Sequence, residues 1–314
     1  MSQFFYFLTV EGNEALLKEE IRLFHPYLRF SYSRPGFCTF KNVEEELTLE
    51  DFSKQNFIFA LSYGLNIGRI KTGHVQQKVD ELHQDGVQSF NFHQLGHLEE
   101  QDWVPNILSP AFGSKHFPCY DFIRTHGDEV FVGKRLADEW ESSFLRKATP
   151  VKEDVISRAY FKGADAFRVL KIPKGLEVLE LGCVPGGTTQ FLLENEYKVL
   201  GVDPGAMDPK VASHKDFKFY QMGVHEFKVP KSSKISVLTS DINLNPKVVL
   251  KESLRLARHM RSLEYVLITC KINDIHRLGE ISSYQKVLKE MGCHKVRCLQ
   301  LPNHKKEFLL FGSK

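Results

Sequence analysis

EVLELGCVPGGTT, residues 177–189, decides the reading of this chain. A short apolar run (Val178, Leu179, Leu181) meets Gly182. Pro185, Gly186 and Gly187 follow, and then residues able to open a helix, which is the pattern of strand, tight glycine turn and helix N-terminus. Such a turn suits a nucleotide, because glycine lets the backbone take unusual dihedrals and approach a ligand with no Cβ in the way. A second strand-like run, Tyr197–Val202, ends in Asp203, about 20 residues beyond the first glycine, where a carboxylate can accept both hydroxyls of an adenosine ribose.

Three ligand classes use loops of this kind. A nucleoside triphosphate loop needs Gly-Lys-Ser/Thr, whereas Gly187 is followed by Thr188 and Thr189. A dinucleotide loop needs G-x-G-x-x-G, and the order Gly182-Cys183-Val184-Pro185-Gly186-Gly187 lacks the middle glycine, which also disfavours a dinucleotide oxidoreductase. S-adenosylmethionine remains, its loop covering an amino-acid moiety instead of a pyrophosphate.

Working outward, strands alternate with helices on both sides of this loop. A helix led by Ser157–Lys162 precedes it; Phe217–Met222, Ile235–Thr239 and Tyr265–Thr269 read as strands, with helices at Lys247–Met260 and Ile281–Met291 between and after them. Val296–Leu301 and Phe308–Phe311 close the chain as neighbouring strands. This predicts an α/β fold: a Rossmann-like, doubly wound sheet with an antiparallel end strand over residues 151–314. Before it, a smaller α+β region divides into a ferredoxin-like unit over 1–70 and a further region over 71–150. In the first, Phe4–Val10 and Phe37–Phe40 read as strands, Phe57–Leu61 and Leu65–Ile70 as apolar runs, and Glu14–Phe24 as a helix facing inward through Ala15, Leu16, Ile21 and Leu23. The second begins with a polar, His-rich stretch carrying Val75, Val79 and Leu82 at helical spacing, and ends in a strand at Glu129–Gly133 and a polar connection at 138–146.

Composition narrows the function. The 314 residues, 42% of them hydrophobic, suit two or three globular units. No apolar run reaches the length of a membrane span and the N-terminus lacks a signal-peptide pattern, so a cytoplasmic location is expected. Six scattered cysteines without a C-x-x-C pair fit reduced thiols. His93 and His97, four apart, lack a third ligand at metal spacing, and no metal is expected. The net charge of +3 is uneven: 15 Lys and Arg stand against 21 Asp and Glu in residues 1–150, and 27 against 18 in residues 151–314. The basic half is the one that attracts a polyanion.

In open α/β sheets ligands sit beyond the carboxyl ends of the strands. Asp241 follows one such strand and Lys271 another, while Lys162 lies on the leading helix and Glu307 opens the last strand. SRAYFK (157–162), ELGCVPGG (180–187), VDPG (202–205), TSD (239–241), LITCK (267–271) and KKEFLLF (305–311) occur in the order and spacing of a known family. The chain resembles the FtsJ-like RNA ribose 2′-O-methyltransferases, most of all the RlmM branch, which acts on large-subunit ribosomal RNA and has an N-terminal THUMP-containing extension. The resemblance covers residues 151–314; over 1–150 it is carried by FLTVEGNEALLKEEI and NFIFALSYGL, and it implies a THUMP-like RNA-positioning role for 71–150.

The resemblance implies a catalytic tetrad of Lys162, Asp241, Lys271 and Glu307, with Lys271 as general base. It implies cofactor contacts from Ser157, Val184, Pro185, Gly186, Gly187, Asp203 and Asp241. Where the family often has an acid facing the adenine, this chain has Gln221-Met222-Gly223-Val224, and Thr188 stands where an aromatic residue is frequent. Lys305 and Lys306, with Arg158, are the expected phosphate contacts for RNA, within a wider set that includes Lys171, Lys174, Lys247, Lys251, Arg255 and Arg258. The tetrad also makes sense chemically, since in-line methyl transfer asks the protein to position two reactants and remove one proton from a weakly acidic hydroxyl. The competing expectation is a non-catalytic RNA-binding protein on a methyltransferase scaffold.

Overall fold

In the computed structural model, residues 3–95, 118–136 and 149–314 are described. His97 and the connection at 138–146 lie outside them. The chain divides into two units, Met1–Arg146 and Lys147–Lys314.

In the first unit, aromatic and β-branched residues alternate with polar ones and make strands. Its elements are β1 (Phe4–Leu8), α1 (Glu14–Phe24), β2 (Leu28–Arg34), β3 (Phe37–Asn42), α2 (Leu49–Ser53), β4 (Ser62–Lys71), α3 (Val75–Gln84), β5 (Ser89–Gln94), β6 (Pro118–His126) and β7 (Glu129–Leu136). The described strands form one sheet in the order β2-β3-β1-β4-β7-β6-β5. The first four, with α1 and α2 as crossovers, have the β-α-β-β-α-β ferredoxin-like arrangement. The expected segments 1–70 and 71–150 share this sheet, because β4 pairs with β1 on one side and with β7 on the other. Val75, Val79 and Leu82 of α3 pack with Phe90, Phe122 and Val132.

One expectation for this unit changes. Phe57–Leu61, an apolar run in the sequence, is a buried loop whose Ile58 and Phe59 N–H groups donate to the Glu20 carboxylate. Glu20 therefore points inward, so α1 buries Leu16, Leu17 and Ile21 while Ala15 and Leu23 stay exposed. Burial pushes the Glu20 carboxyl up to about 7 against those two N–H donors.

The second unit contains α4 (Ala159–Val169), β8 (Glu177–Leu181), α5 (Gly187–Glu194), β9 (Lys198–Asp203), α6 (Pro209–Ala212), β10 (Phe217–Gln221), β11 (Ile235–Ser240), α7 (Pro246–Ala257), β12 (Tyr265–Lys271), α8 (Ile281–Glu290), β13 (Lys295–Leu299) and β14 (Glu307–Ser313). Its sheet runs β10-β9-β8-β11-β12-β14-β13. The pairs among β10, β9, β8, β11 and β12 are parallel, and β14 is antiparallel to both β12 and β13. Central parallel strands are covered on both faces and so read as continuous apolar runs. Val178, Leu179, Leu181, Val237, Leu238, Val266, Leu267 and Ile268 are all buried, each contributing roughly 1.5–3 kcal/mol of transfer free energy. From β8 the chain winds outward to β9 and β10, then returns to β11 on the other flank. The strand order thus reverses between β8 and β11, and their carboxyl ends open the crevice where such sheets hold ligands.

Candidate active site

Gly182, Gly186 and Gly187 leave β8 and start α5. Gly186 caps α5 with φ +118°, a conformation that side chains rarely tolerate, and a Cβ there would meet Met207 and Val211 at 2.9 Å. A Cβ on Gly187 would collide with Ser157 Oγ and lie 3.0 Å from the Tyr160 nitrogen. These glycines thus let the segment leading into α4 lie directly on the loop. Thr188 donates to the Ala159 carbonyl at 3.0 Å, so the position where an aromatic was expected instead ties α5 to α4.

Asp203, at the carboxyl end of β9, braces the same loop. Its Oδ2 accepts the Val184 N–H at 3.3 Å and its Oδ1 the Gly205 N–H at 2.7 Å. A carboxylate has about four acceptor positions, so two remain for ligand hydroxyls. Beneath the loop, Glu180 is buried and its Oε2 accepts the Thr189 hydroxyl at 2.7 Å. Burial, with Asp241 and Asp203 nearby, pushes its carboxyl up to about 8 despite that hydrogen bond. The fold thus favours the neutral form of Glu180. The sequence reading passed over it; an acid inside an otherwise apolar strand, next to a glycine turn, is the signal that marks it. After β10, the Gly223 N–H donates to Glu226 at 2.9 Å, which places a carboxylate beside the segment where the expected acid was missing.

The structure brings Lys162, Asp241, Lys271 and Glu307 together. Lys162 Nζ lies 2.7 Å from Glu307 Oε1 and 3.2 Å from Asp241 Oδ2, while Lys271 Nζ lies 3.5 Å from Asp241 Oδ1. Their convergence follows from topology. Asp241 and Lys271 stand at the carboxyl ends of adjacent parallel strands, and the antiparallel β14 sets Glu307 opposite Lys271 in register. Side-chain exposure is 19% for Lys162, 23% for Asp241, 21% for Lys271 and 5% for Glu307, so the cluster opens to solvent through the lysines and Asp241. Burial opposes the charge on Lys162, yet Asp241 and Glu307 outweigh it and hold the ammonium above the usual lysine range. Burial also raises the Glu307 carboxyl, against the pull of Lys162 and Lys271. Asp241 Oδ1 accepts no hydrogen bond among the described residues, leaving a buried acceptor for a ligand N–H.

Of the expected RNA contacts, Arg158, Lys305 and Lys306 are exposed, and Lys305 and Lys306 immediately precede Glu307. Others are engaged in the protein. Arg255 pairs with Glu252 and donates to the Val224 and Phe227 carbonyls, Lys247 contacts Glu280 at 3.0 Å, and Lys174 contacts Glu196 at 3.9 Å. Among the described residues there is no group of three His, Cys, Asp or Glu able to hold a metal, and no helix long and apolar enough to cross a membrane.

Residues 155–300 match the model of the FtsJ-like methyltransferase family. The C-terminal unit is an FtsJ-like methyltransferase domain. The chain is 32% identical over 99 residues to the ribosomal RNA large subunit methyltransferase M of Laribacter hongkongensis, a match covering 29% of this chain and 28% of that protein. It is 27% identical over 118 residues to an uncharacterised protein of Methanocaldococcus jannaschii, covering 38% and 33%. The chain thus spans about a third or less of the length of the curated relatives it matches. Similar solved structures include TrmN from Thermus thermophilus, with TM-score 0.36 and 14% identity over 99% of this chain and 100% of that one. Another is magnesium protoporphyrin IX methyltransferase from Synechocystis with bound SAH, with TM-score 0.37 and 12% identity over 56% and 93%. The FtsJ-like domain holds the glycine loop, the braced Asp203 and the four charged residues within one crevice.

Proposed function

We propose that the chain is an S-adenosylmethionine-dependent RNA ribose 2′-O-methyltransferase acting on large-subunit ribosomal RNA. The observation that carries this reading is the convergence of two lysines and two carboxylates at the mouth of the β8–β11 crevice, beside the glycine loop. The residues fit the cofactor: Gly186 lets the loop turn tightly against Met207 and Val211, Asp203 keeps acceptor capacity, and Asp241 Oδ1, which accepts no hydrogen bond and has only the 3.5 Å contact with Lys271, can take an ammonium. In this reading Ser157 and the backbone of Val184, Pro185, Gly186 and Gly187 line the methionine side, Asp203 takes the ribose, and Asp241 the amino group. The bound cofactor supplies an electrophilic sulfonium methyl.

The two lysines differ in a way that divides their roles. Lys162 contacts two carboxylates and is held as an ammonium, so it orients the target hydroxyl and stabilises negative charge growing on its oxygen. Lys271 has one looser contact, at 3.5 Å, and stands at the open end of β12. It would take the proton from the ribose 2′-hydroxyl as that oxygen accepts the methyl group, and the proton would leave on Lys271. Glu307 anchors Lys162, and Lys305, Lys306 and Arg158 face the phosphates. The N-terminal unit positions the RNA, and the enzyme works in the cytoplasm.

Transfer of radiolabelled methyl from S-adenosylmethionine to protein-free large-subunit ribosomal RNA tests this, with the label located on ribose or base. Label on a 2′-oxygen that is lost in Lys271→Ala supports the reaction and the base together. Label on a base overturns the ribose assignment. Binding of RNA with no transfer to ribosomal RNA, transfer RNA or assembled particles favours the non-catalytic RNA-binding alternative.

A further inference from the structure

Glu307, the most buried member of the cluster, is delivered by the turn that joins β13 to β14. Within it the Leu301 N–H donates to His304 Nδ1 at 3.4 Å and the His304 N–H to the Leu301 carbonyl at 2.9 Å. The turn also grips both elements that carry the lysines. Asn303 Nδ2 donates at 2.7 Å to Oδ2 of Asp165, a fully buried residue one helical turn beyond Lys162 on α4. The Lys306 carbonyl accepts the N–H of Ile272, the residue after Lys271, at 2.8 Å.

Three details set this turn apart from a plain connection. Asp165 is committed on both oxygens: its Oδ1 takes the Thr149 N–H and hydroxyl and Arg168. His304 is buried, and its burial, with the charge of Lys162 nearby, drives the imidazole down to about 3, so it stays neutral beside that ammonium. Lys306, directly before Glu307, has φ +53°, a left-handed conformation that costs energy for a side-chain-bearing residue. A buried carboxylate held by the turn, and a buried neutral histidine and a strained lysine within it, mark a geometry held by its surroundings.

We infer that Asp165, Asn303 and His304 are positioning residues: the turn is a clip that presses Glu307 against Lys162 and so sets the spacing of the two lysines. The inference rests on the methyltransferase reading above. None of the three need touch substrate; they act through Glu307 and Lys162.

The test compares wild type with Asn303→Ala, His304→Ala and His304→Asn, the last because an Asn oxygen can accept the Leu301 N–H in place of Nδ1. Two measurements are made on each full-length protein: methyl-transfer kinetics, and the rate at which an amine-acylating reagent labels Lys162, read by peptide mass spectrometry with exposed Lys218 as internal control. The clip predicts that both alanine variants lose about 10-fold or more in kcat, in line with the cost of ångström-scale misplacement. KM for RNA and the affinity for S-adenosylhomocysteine stay within about twofold, since neither ligand loses a contact. Lys162 labelling rises several-fold while Lys218 labelling does not, and His304→Asn restores both readouts. Active variants with wild-type kcat and unchanged Lys162 labelling overturn the clip, even if their unfolding midpoints fall. A wild type that transfers no methyl overturns the reading beneath it, and the positioning role with it.

Discussion

The two units each gather charged side chains, and they place them differently along their strands. In the N-terminal sheet, Asp121 sits at the middle of β6 with no exposed surface; it accepts from the Tyr6 hydroxyl and from Arg135 Nε at 2.8 Å, with His93 at 3.5 Å. Gly64 and Gly133, on neighbouring strands, leave room for the Tyr6 ring. In the FtsJ-like domain three of the four charges stand at strand ends and Lys162 reaches them from α4, and three of the four keep about a fifth of their side-chain surface. A mid-strand cluster cannot meet a solute without opening the sheet; a strand-end cluster can. The chemistry of the side chains is similar in both, and position along the strand separates a cluster closed within the fold from one open to a solute.

The largest expected effect attacks the open cluster, under the proposed function. Lys271→Ala lowers kcat for methyl transfer on the order of 10²–10⁴-fold, the range for loss of a general base, and leaves S-adenosylhomocysteine affinity unchanged by calorimetry. Wild-type rates in this variant would remove Lys271 from the base role. In the structural cluster, Asp121→Ala breaks a buried ion pair and destabilises the N-terminal unit by roughly 3–5 kcal/mol in urea unfolding. A loss near zero would show that Asp121 is solvated after all and erase the contrast between the sheets.

Glu180 tests an intermediate case, an acid buried beneath the reactive crevice. Its folded-state value, about 8, lies above the ordinary 4.5, so the neutral form is the stabilising one. That contribution is complete below pH 4.5 and is lost as pH rises through about 8, with a slope approaching 1.4 kcal/mol per pH unit between those values. Glu180→Gln removes this slope from the stability–pH curve; an identical curve would show that the acid is ionised in the fold. The smallest effect belongs to the exposed Lys71–Asp128 pair, at 2.9 Å with more than half of each side chain in solvent. Asp128→Ala leaves the unfolding midpoint where it is, because water and salt screen such pairs.

Much of the site was legible because its parts are local. A glycine turn after an apolar run announces itself within 13 residues, and Asp203, Asp241 and Lys271 are each read as the first charged residue at the end of an apolar strand. What escaped was whatever depends on a distant partner. Strand β6 reads poorly because Asp121 and Arg124 interrupt its apolar pattern; Asp121 is tolerable only because Tyr6 and Arg135 arrive from other strands. The Phe57–Leu61 run resembles a strand until Glu20, nearly 40 residues earlier, satisfies its backbone. Arg255 looks like any basic helix residue, yet it spends its donors on the Val224–Phe227 turn. The hold of Asn303 on Asp165 spans 138 positions and leaves no trace in spacing.

From the sequence alone came the doubly wound class, the glycine loop, and the placement of Asp241 and Lys271 at strand ends, since periodicity and turn chemistry are properties of neighbouring residues. Tertiary structure alone decided that β14 lies between β12 and β13, in the register that sets Glu307 opposite Lys271 and within 2.7 Å of Lys162. It also decided that Lys162 is held as an ammonium and that Glu180 favours its neutral form. Those outcomes depend on burial and on charges brought close by the fold, and Coulomb interactions act through space without regard to position in the chain.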